Sequence, residues 1–196
     1  PNWNMVLYLK QDIWPLIRKK IPKAELHVYG SYPSEKVTQL NNKSQGFLVK
    51  GWADDVNAVM QKSRVCLAPI RFGAGIKGKF TDAMQNGLPS VTTSIGAEGM
   101  YDAHSWSGSI ADSPKEIADS AVELYENKRN WLEAQKNGSE IINSIYGTPK
   151  YQQNFIAKIQ LINNNLQVHR SSNFIGSMLQ HHTLKSSMYL SKWIGE

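Results

Sequence analysis

Two glycines, two lysines and an aspartate lie within ten residues of one another: Gly73, Gly75, Lys77, Lys79 and Asp82. They follow the apolar run Val65 to Pro69 and lead into a helix-like stretch from about Lys77 to Asn86. Gly73 and Gly75 permit backbone angles closed to other residues and let a ligand come close to the main chain. The helix that follows offers unpaired N–H groups and a partial positive charge at its start, which suits a phosphate. Lys77 and Lys79 add two cations where the helix dipole disfavours them, a local conflict that a bound anion would resolve. Asp82, one turn further on, can accept hydrogen bonds from sugar hydroxyls. A diphosphate joined to sugars offers both groups. The alternative is an ordinary surface loop with two solvated lysines and an aspartate that complements the dipole, and a glycine-rich loop by itself does not decide between them.

The other reactive side chains read more plainly. Of the five histidines, His181 and His182 are adjacent and so diverge by about 100° on a helix, while His27, His104 and His169 stand far apart. No metal-ligand spacing occurs, and no metal site is expected. The single cysteine, Cys66, sits inside Val65-Cys66-Leu67-Ala68 and reads as a small buried hydrophobe. One thiol makes no internal bridge, which fits a reducing compartment and a cytoplasmic location. The serine-rich tail holds no nucleophile elbow and no adjacent base.

The elements that must position this loop alternate. Met5, Leu7, Leu9, Ile13, Leu16 and Ile17 recur at helical intervals up to Pro22, with Pro15 set to kink or split the helix. Ala24 to Gly30 and Phe47 to Gly51 read as strands, with a short helix between them near Val37 and Leu40. A helix begins near Asp54 or Asp55, either of which suits a first turn. Val65 to Pro69 reads as a strand buried on both faces, and Ser90 to Thr93 and the weaker Gly108 to Ala111 as further strands. Ser113-Pro114-Lys115-Glu116 carries a cap, a first-turn proline and a glutamate three residues after the cap. A second helix holds Trp131 to Ile145, and from Thr148 the chain reads as amphipathic helix broken near Val168 and Gly176. Strands alternating with helices imply crossovers and a parallel sheet, hence an open doubly wound α/β domain. In such a sheet ligands bind beyond the carboxyl ends of the strands, where the glycine loop falls.

Composition narrows the class. With 196 residues, 41% hydrophobic, 14 Gly, 8 Pro and one Cys, the chain is neither collagen-like, low-complexity nor a disulfide scaffold. No apolar stretch reaches the ~18 residues that cross a bilayer, no secretory signal is visible, and the opening Pro1 suggests a piece of something longer. Residues 1–100 carry 13 basic and 7 acidic side chains, 101–150 carry 5 and 8, and 151–196 carry 4 and 1. The positive field on the first half and the tail would attract an anionic ligand or the inner face of a membrane. The basic residues are not interleaved with aromatics, so nucleic acid is not an expected partner.

The run from Pro69 to Thr93, with Gly73-Ala74-Gly75-Ile76-Lys77-Gly78-Lys79, Asp82-Ala83-Met84 and Gly87-Leu88-Pro89, and then Gly96-Ala97-Glu98-Gly99, resembles the carboxyl-terminal domain of family-four GT-B glycosyltransferases. Ile13-Trp14-Pro15-Leu16-Ile17-Arg18, Pro22-Lys23-Ala24-Glu25-Leu26 and Gly30 extend the likeness over most of residues 1–145. The resemblance implies a Rossmann-like domain over residues 1–147 that binds a nucleotide-diphosphate-sugar donor and needs no cofactor. It implies a helical extension over 148–196 that packs on this domain or on an absent amino-terminal acceptor domain. It also implies a strand before Pro1, retaining transfer of a hexose-type sugar, and backbone N–H groups from Gly73 to Ile76 on that sugar.

Of the two glutamates that flank this loop in the family, the ribose-reading one falls on Asp82, a shorter acid, and the other on Ala74, so that carboxylate is absent. Lys77 and Lys79 become candidates for the phosphate charge. Gly51-Trp52-Ala53 matches the place where the backbone reads the base, and Glu98 lies in a further loop at the ligand end of the sheet. No residue is assigned as a catalytic base. If the acceptor domain is absent, Phe174, Met178, Leu179, Leu184, Met188, Leu190 and Trp193 lose burial surface, and self-association or disorder of the tail is expected. A non-catalytic anion-binding or protein-interaction module that keeps only the fold is the rival expectation.

Overall fold

The amino-terminal helix meets Pro15 without breaking. α1 (Asn2–Tyr8) runs into a single π-helical turn (Leu9–Ile13) and then into α2 (Trp14–Lys20). Pro15 has no N–H to return to the preceding turn, and the wider turn absorbs the mismatch: the Trp14 N–H reaches back to the Leu9 carbonyl. The proline thus lies in the first turn of a new α-segment, where its ring is tolerated. Leu9, Ile13, Trp14 and Ile17 point inward from this continuous rod. In the computed structural model, which describes residues 2–195, the chain divides into two compact units, Pro1–Tyr146 and Gly147–Glu196.

In the first unit, β1 (Leu26–Tyr29), α3 (Glu35–Thr38), β2 (Phe47–Gly51), α4 (Val56–Gln61), β3 (Cys66–Ala68), α5 (Gly78–Gln85), β4 (Ser90–Thr92), α6 (Ser94–Ala97) and β5 (Gly108–Ile110) follow in order. α7 (Pro114–Glu126) and α8 (Lys128–Ile145) complete it. Every strand pair is parallel, in the orders β1-β2 and β3-β4-β5. This is the α/β architecture with flanking helices that the alternating pattern implies. Asp55 caps α4, its carboxylate accepting the Ala58 N–H at 3.0 Å. One apolar cluster joins the α1–α2 rod to α7 through residues such as Ile13, Trp14, Ile117 and Val122. A second, around Phe80, Met84, Trp106 and Ile141, anchors α5 and α8. β3 departs from the expectation of burial on both faces: Cys66 and Leu67 are only half-buried, because among the described residues β3 has a bonded neighbour on one side alone.

The capping box at α7 is complete. The Ser113 hydroxyl accepts the Glu116 N–H, and the Glu116 carboxylate accepts the Ser113 N–H, both at 3.3 Å. Ser113→Ala is expected to cost about 1 kcal/mol, read as a lower urea midpoint with an unchanged slope.

The second unit consists of α9 (Thr148–Asn164), α10 (Leu166–Ser172) and α11 (Phe174–Ile194). Its breaks fall at Asn165 and Asn173 rather than near Val168 and Gly176. The Asn165 side-chain amide donates to the Leu161 carbonyl at 3.0 Å, and Asn173 caps α11 by accepting the Gly176 N–H at 3.1 Å, so Gly176 belongs to a first turn. Phe174, Met178, Leu179, Met188, Leu190 and Trp193 are exposed. The side chains of Leu184, His181 and His182 lie outside the described residues. No helix among the described residues is long and apolar enough to cross a membrane.

Candidate functional site

The loop between β3 and α5 starts from a stitched base. Pro69 and Ile70 are buried, and two threonines of the neighbouring strand end hold the backbone around them. The Thr92 hydroxyl donates to the Ala68 carbonyl at 2.8 Å. The Thr93 hydroxyl donates to the Ile70 carbonyl and accepts the Gly96 N–H, fixing the turn into α6 as well. From Arg71 to Ile76 the loop is exposed. Gly75, at φ +77°, adopts a left-handed conformation with open space where a Cβ would stand, so its glycine is required by the backbone angle and not by crowding.

α5 begins without a side-chain cap. Lys77 occupies the cap position with extended backbone, and no acid lies in the first turn. The partial positive charge at this end of the helix is therefore met by neither a side-chain cap nor a first-turn acid. Phe80, Ala83 and Met84 bury the opposite face, and Asp82 is left exposed on the outside.

The lysines do different things. The Lys77 ammonium spans from this loop to the next, donating to the Glu98 carbonyl at 3.4 Å. Glu98 itself is exposed, just past α6. Lys79 is half-buried, and desolvation holds its pKa below the usual lysine range. It interacts with Cys66 on β3, whose thiol burial pushes up to about 11 while the Lys79 charge pulls the other way. A partly desolvated ammonium gains more from an anion than a solvated one does. Lys77 and Glu98 are thus brought together across two loops, whereas Trp52 and Ala53 follow β2 in the other ladder. Trp52 is 67% exposed, and Ala53 lines the cavity beside β1.

One cation at the loop escapes a reading based on the glycines. Arg71 stacks its guanidinium over the Tyr8 ring, 5.0 Å from the centroid. The Tyr8 phenol is raised above its ordinary pKa by burial first and by Asp12 second, with Arg71 opposing. This contact ties the end of α1, just before the π turn, to the start of the loop. The only signal for it in sequence is a basic residue directly before the Phe72-Gly73 pair, which does not reveal its aromatic partner. Behind it, Asp112 accepts both the N–H and the hydroxyl of Ser94, at 2.9 and 3.0 Å. Among the described residues no group of three or more His, Cys, Asp or Glu side chains is placed to hold a metal ion.

A family model described as "Glycosyl transferases group 1" matches residues 1–127. No curated protein sequence matches the chain. Among solved structures, a variant of S. aureus TarM crystallised with fondaparinux, alpha-GlcNAc-glycerol and UDP is similar at 17% identity and a TM-score of 0.64, over 78% of this chain and 31% of that one. A second TarM structure gives 18% identity and the same TM-score over 78% and 32%. The pneumococcal O-GlcNAc transferase GtfA, solved with UDP and GlcNAc, gives 16% and 0.53 over 73% and 32%. The chain spans about a third of the length of each of these structures.

Proposed function

The chain belongs to the group 1 glycosyl transferases, and from that premise we propose that its first unit binds the nucleotide-diphosphate-sugar donor at the mouth of the Gly73–Gly75 loop. The observation that carries this reading is the bare start of α5, with Lys77 at its cap and reaching to the Glu98 carbonyl. Here an anion would meet helix amides and at least one ammonium at once. In this reading the diphosphate lies against α5, with Lys77 and the desolvated Lys79 opposing its charge. Asp82 accepts the ribose hydroxyls, the backbone at Trp52 and Ala53 reads the base, and the amides from Gly73 to Ile76 face the sugar. Glu98 borders the sugar side.

Transfer then draws on electrostatic stabilisation of the departing diphosphate, whose developing negative charge these groups meet without reorganising. The sugar is a hexose-type unit transferred with retention, and a separate acceptor domain holds the group it joins. Ala74 favours a second reading, a module that binds the anion without transferring a sugar, because no carboxylate stands there to fix the sugar hydroxyls.

Calorimetry with UDP, GDP and ADP tests the site. Lys77→Ala is expected to weaken the preferred diphosphate about tenfold, the worth of one charge-assisted contact. Asp82→Asn should weaken nucleoside diphosphates while leaving inorganic pyrophosphate unchanged. Equal affinity for every ligand in both variants would remove the assignment. Binding without hydrolysis or transfer of UDP-sugars, in a chain joined to an acceptor domain, would favour the second reading.

A further inference from the structure

From Gly147 to Gly195 the chain carries five Lys and Arg side chains and no Asp or Glu. This stretch is the second compact unit, and none of its described side chains is buried. Helices that bury no apolar core leave their apolar surface for something else to cover. α9 exposes Tyr151, Phe155 and Ile159, four residues apart and so on one face, while Gln153, Gln160 and Asn164 fall on the other. α11 repeats the arrangement. At ~100° per residue from Phe174, the exposed Tyr189, Ile175, Trp193, Leu179 and Leu190 occupy an arc from about 60° to 160°. Among the described residues only Ser186 interrupts that arc. Ser177, Gln180 and Ser191 fall opposite, at about 240–300°.

Charge identifies the occupant. Lys192 and Lys185 stand at about 0–20° on the same count, at the edge of the apolar arc. A long basic side chain placed there lays its stem on apolar surface and its ammonium in a polar layer. Lys158 flanks the Tyr151 and Phe155 face of α9 in the same way. A second copy of this unit would bring the same cations and no carboxylate before Glu196, so pairing sets like charges together with none to oppose them. A nucleic acid would meet the cations and leave the apolar arcs in water. An anionic phospholipid surface meets both at once, and Tyr189 and Trp193 suit the boundary between its headgroups and acyl chains. The helices would lie flat on it, since none among the described residues is long and apolar enough to cross a membrane.

We propose that the second unit docks on an anionic phospholipid surface, with the apolar arcs of α9 and α11 among the outer acyl groups and Lys158, Lys185 and Lys192 at the phosphates. The inference rests on this unit alone and is independent of the donor site.

Co-sedimentation of the full chain with vesicles tests this, using phosphatidylcholine alone or with one-third phosphatidylglycerol. Binding is expected on the mixed vesicles, weakening steeply toward about 0.5 M salt, with little on the neutral ones. Lys185→Ala combined with Lys192→Ala should weaken it about thirtyfold, the worth of two basic side chains at such a surface. Lys43→Ala combined with Lys50→Ala removes the same charge from the first unit, and should change it by less than about twofold. Phe155→Gln and Trp193→Gln should each weaken it about tenfold. No binding at low salt, equal binding to neutral vesicles, an equal loss in the Lys43 and Lys50 pair, or no loss in Phe155→Gln and Trp193→Gln would overturn the proposal. So would a dimer in sedimentation velocity that Trp193→Gln dissolves, which makes a second copy the occupant. Vesicle binding that disappears when an acceptor domain is joined ahead of the chain would likewise overturn it and give the face to that domain.

Discussion

Phe80→Ala is expected to remove about 3–5 kcal/mol of stability and, with it, the proposed nucleoside diphosphate binding at temperatures where the parent chain stays folded. Phe80 is completely buried in the first turn of α5 and meets Trp106 edge-to-face, with ring centroids 5.4 Å apart. Ala68, Ile70, Met84, Met100 and Ile141 belong to the same cluster. Truncation loses the transfer free energy of the ring and leaves a hole that strand ends and a long helix cannot close by local movement. A domain of this size has only about 5–15 kcal/mol in hand, so the loss is a large share of the total. The cost falls on the helix whose other face carries Lys79 and Asp82, which links stability to the site. Phe80→Leu keeps most of the volume and should cost under about 1.5 kcal/mol. Denaturant midpoints measure the pair. A midpoint for Phe80→Ala within error of the leucine variant would mean that Phe80 is not the anchor of α5.

What could be read before the structure divides along physical lines. Local chemistry was legible where one residue type has one role: Ser113 and Glu116 form the box their spacing implies, and of the two aspartates that could open α4, Asp54 and Asp55, it is Asp55 that caps it. The parallel alternation was legible because strand and helix periods differ so strongly. Pro15 announced an irregularity without its form, since a kink, a break and a π turn all relieve the same missing N–H. The tail breaks were misplaced because Gly176 reads as a helix stop, whereas the cap that sets the boundary is Asn173, three residues earlier. Non-local facts were not legible at all. Nothing near Lys79 in sequence tells that it is half-buried beside Cys66, and nothing near Arg71 points to Tyr8, sixty-three positions away. The open edge of β3 was hidden for the same reason: an apolar run looks alike whether one neighbour or two lie beside it.

The turn after β4 yields the other large effect. Gly96→Ala should cost about 2–5 kcal/mol, the sum of overpacking and a disturbed buried hydrogen bond. A Cβ at Gly96 would stand 1.9 Å from the Thr92 hydroxyl oxygen. That hydroxyl is fully buried and donates to the Ala68 carbonyl, so it cannot swing aside without giving up its partner. The clash is with one atom, which makes it separable. Thr92→Ala removes that atom, and the Ala68 carbonyl still receives the Ile70 N–H at 2.9 Å, so this change alone should cost about 1 kcal/mol.

The double variant should then be more stable than the two single costs predict, by about 1–3 kcal/mol of coupling. Thr92→Val keeps a methyl group where the hydroxyl stood and should rescue nothing. Because α6 leads straight into Glu98, whose carbonyl receives Lys77, Gly96→Ala should also weaken UDP to about the extent of Lys77→Ala, with the double variant regaining part of that affinity. Additive stabilities across the cycle would show that the turn yields elsewhere, and full affinity in Gly96→Ala would uncouple the two loops.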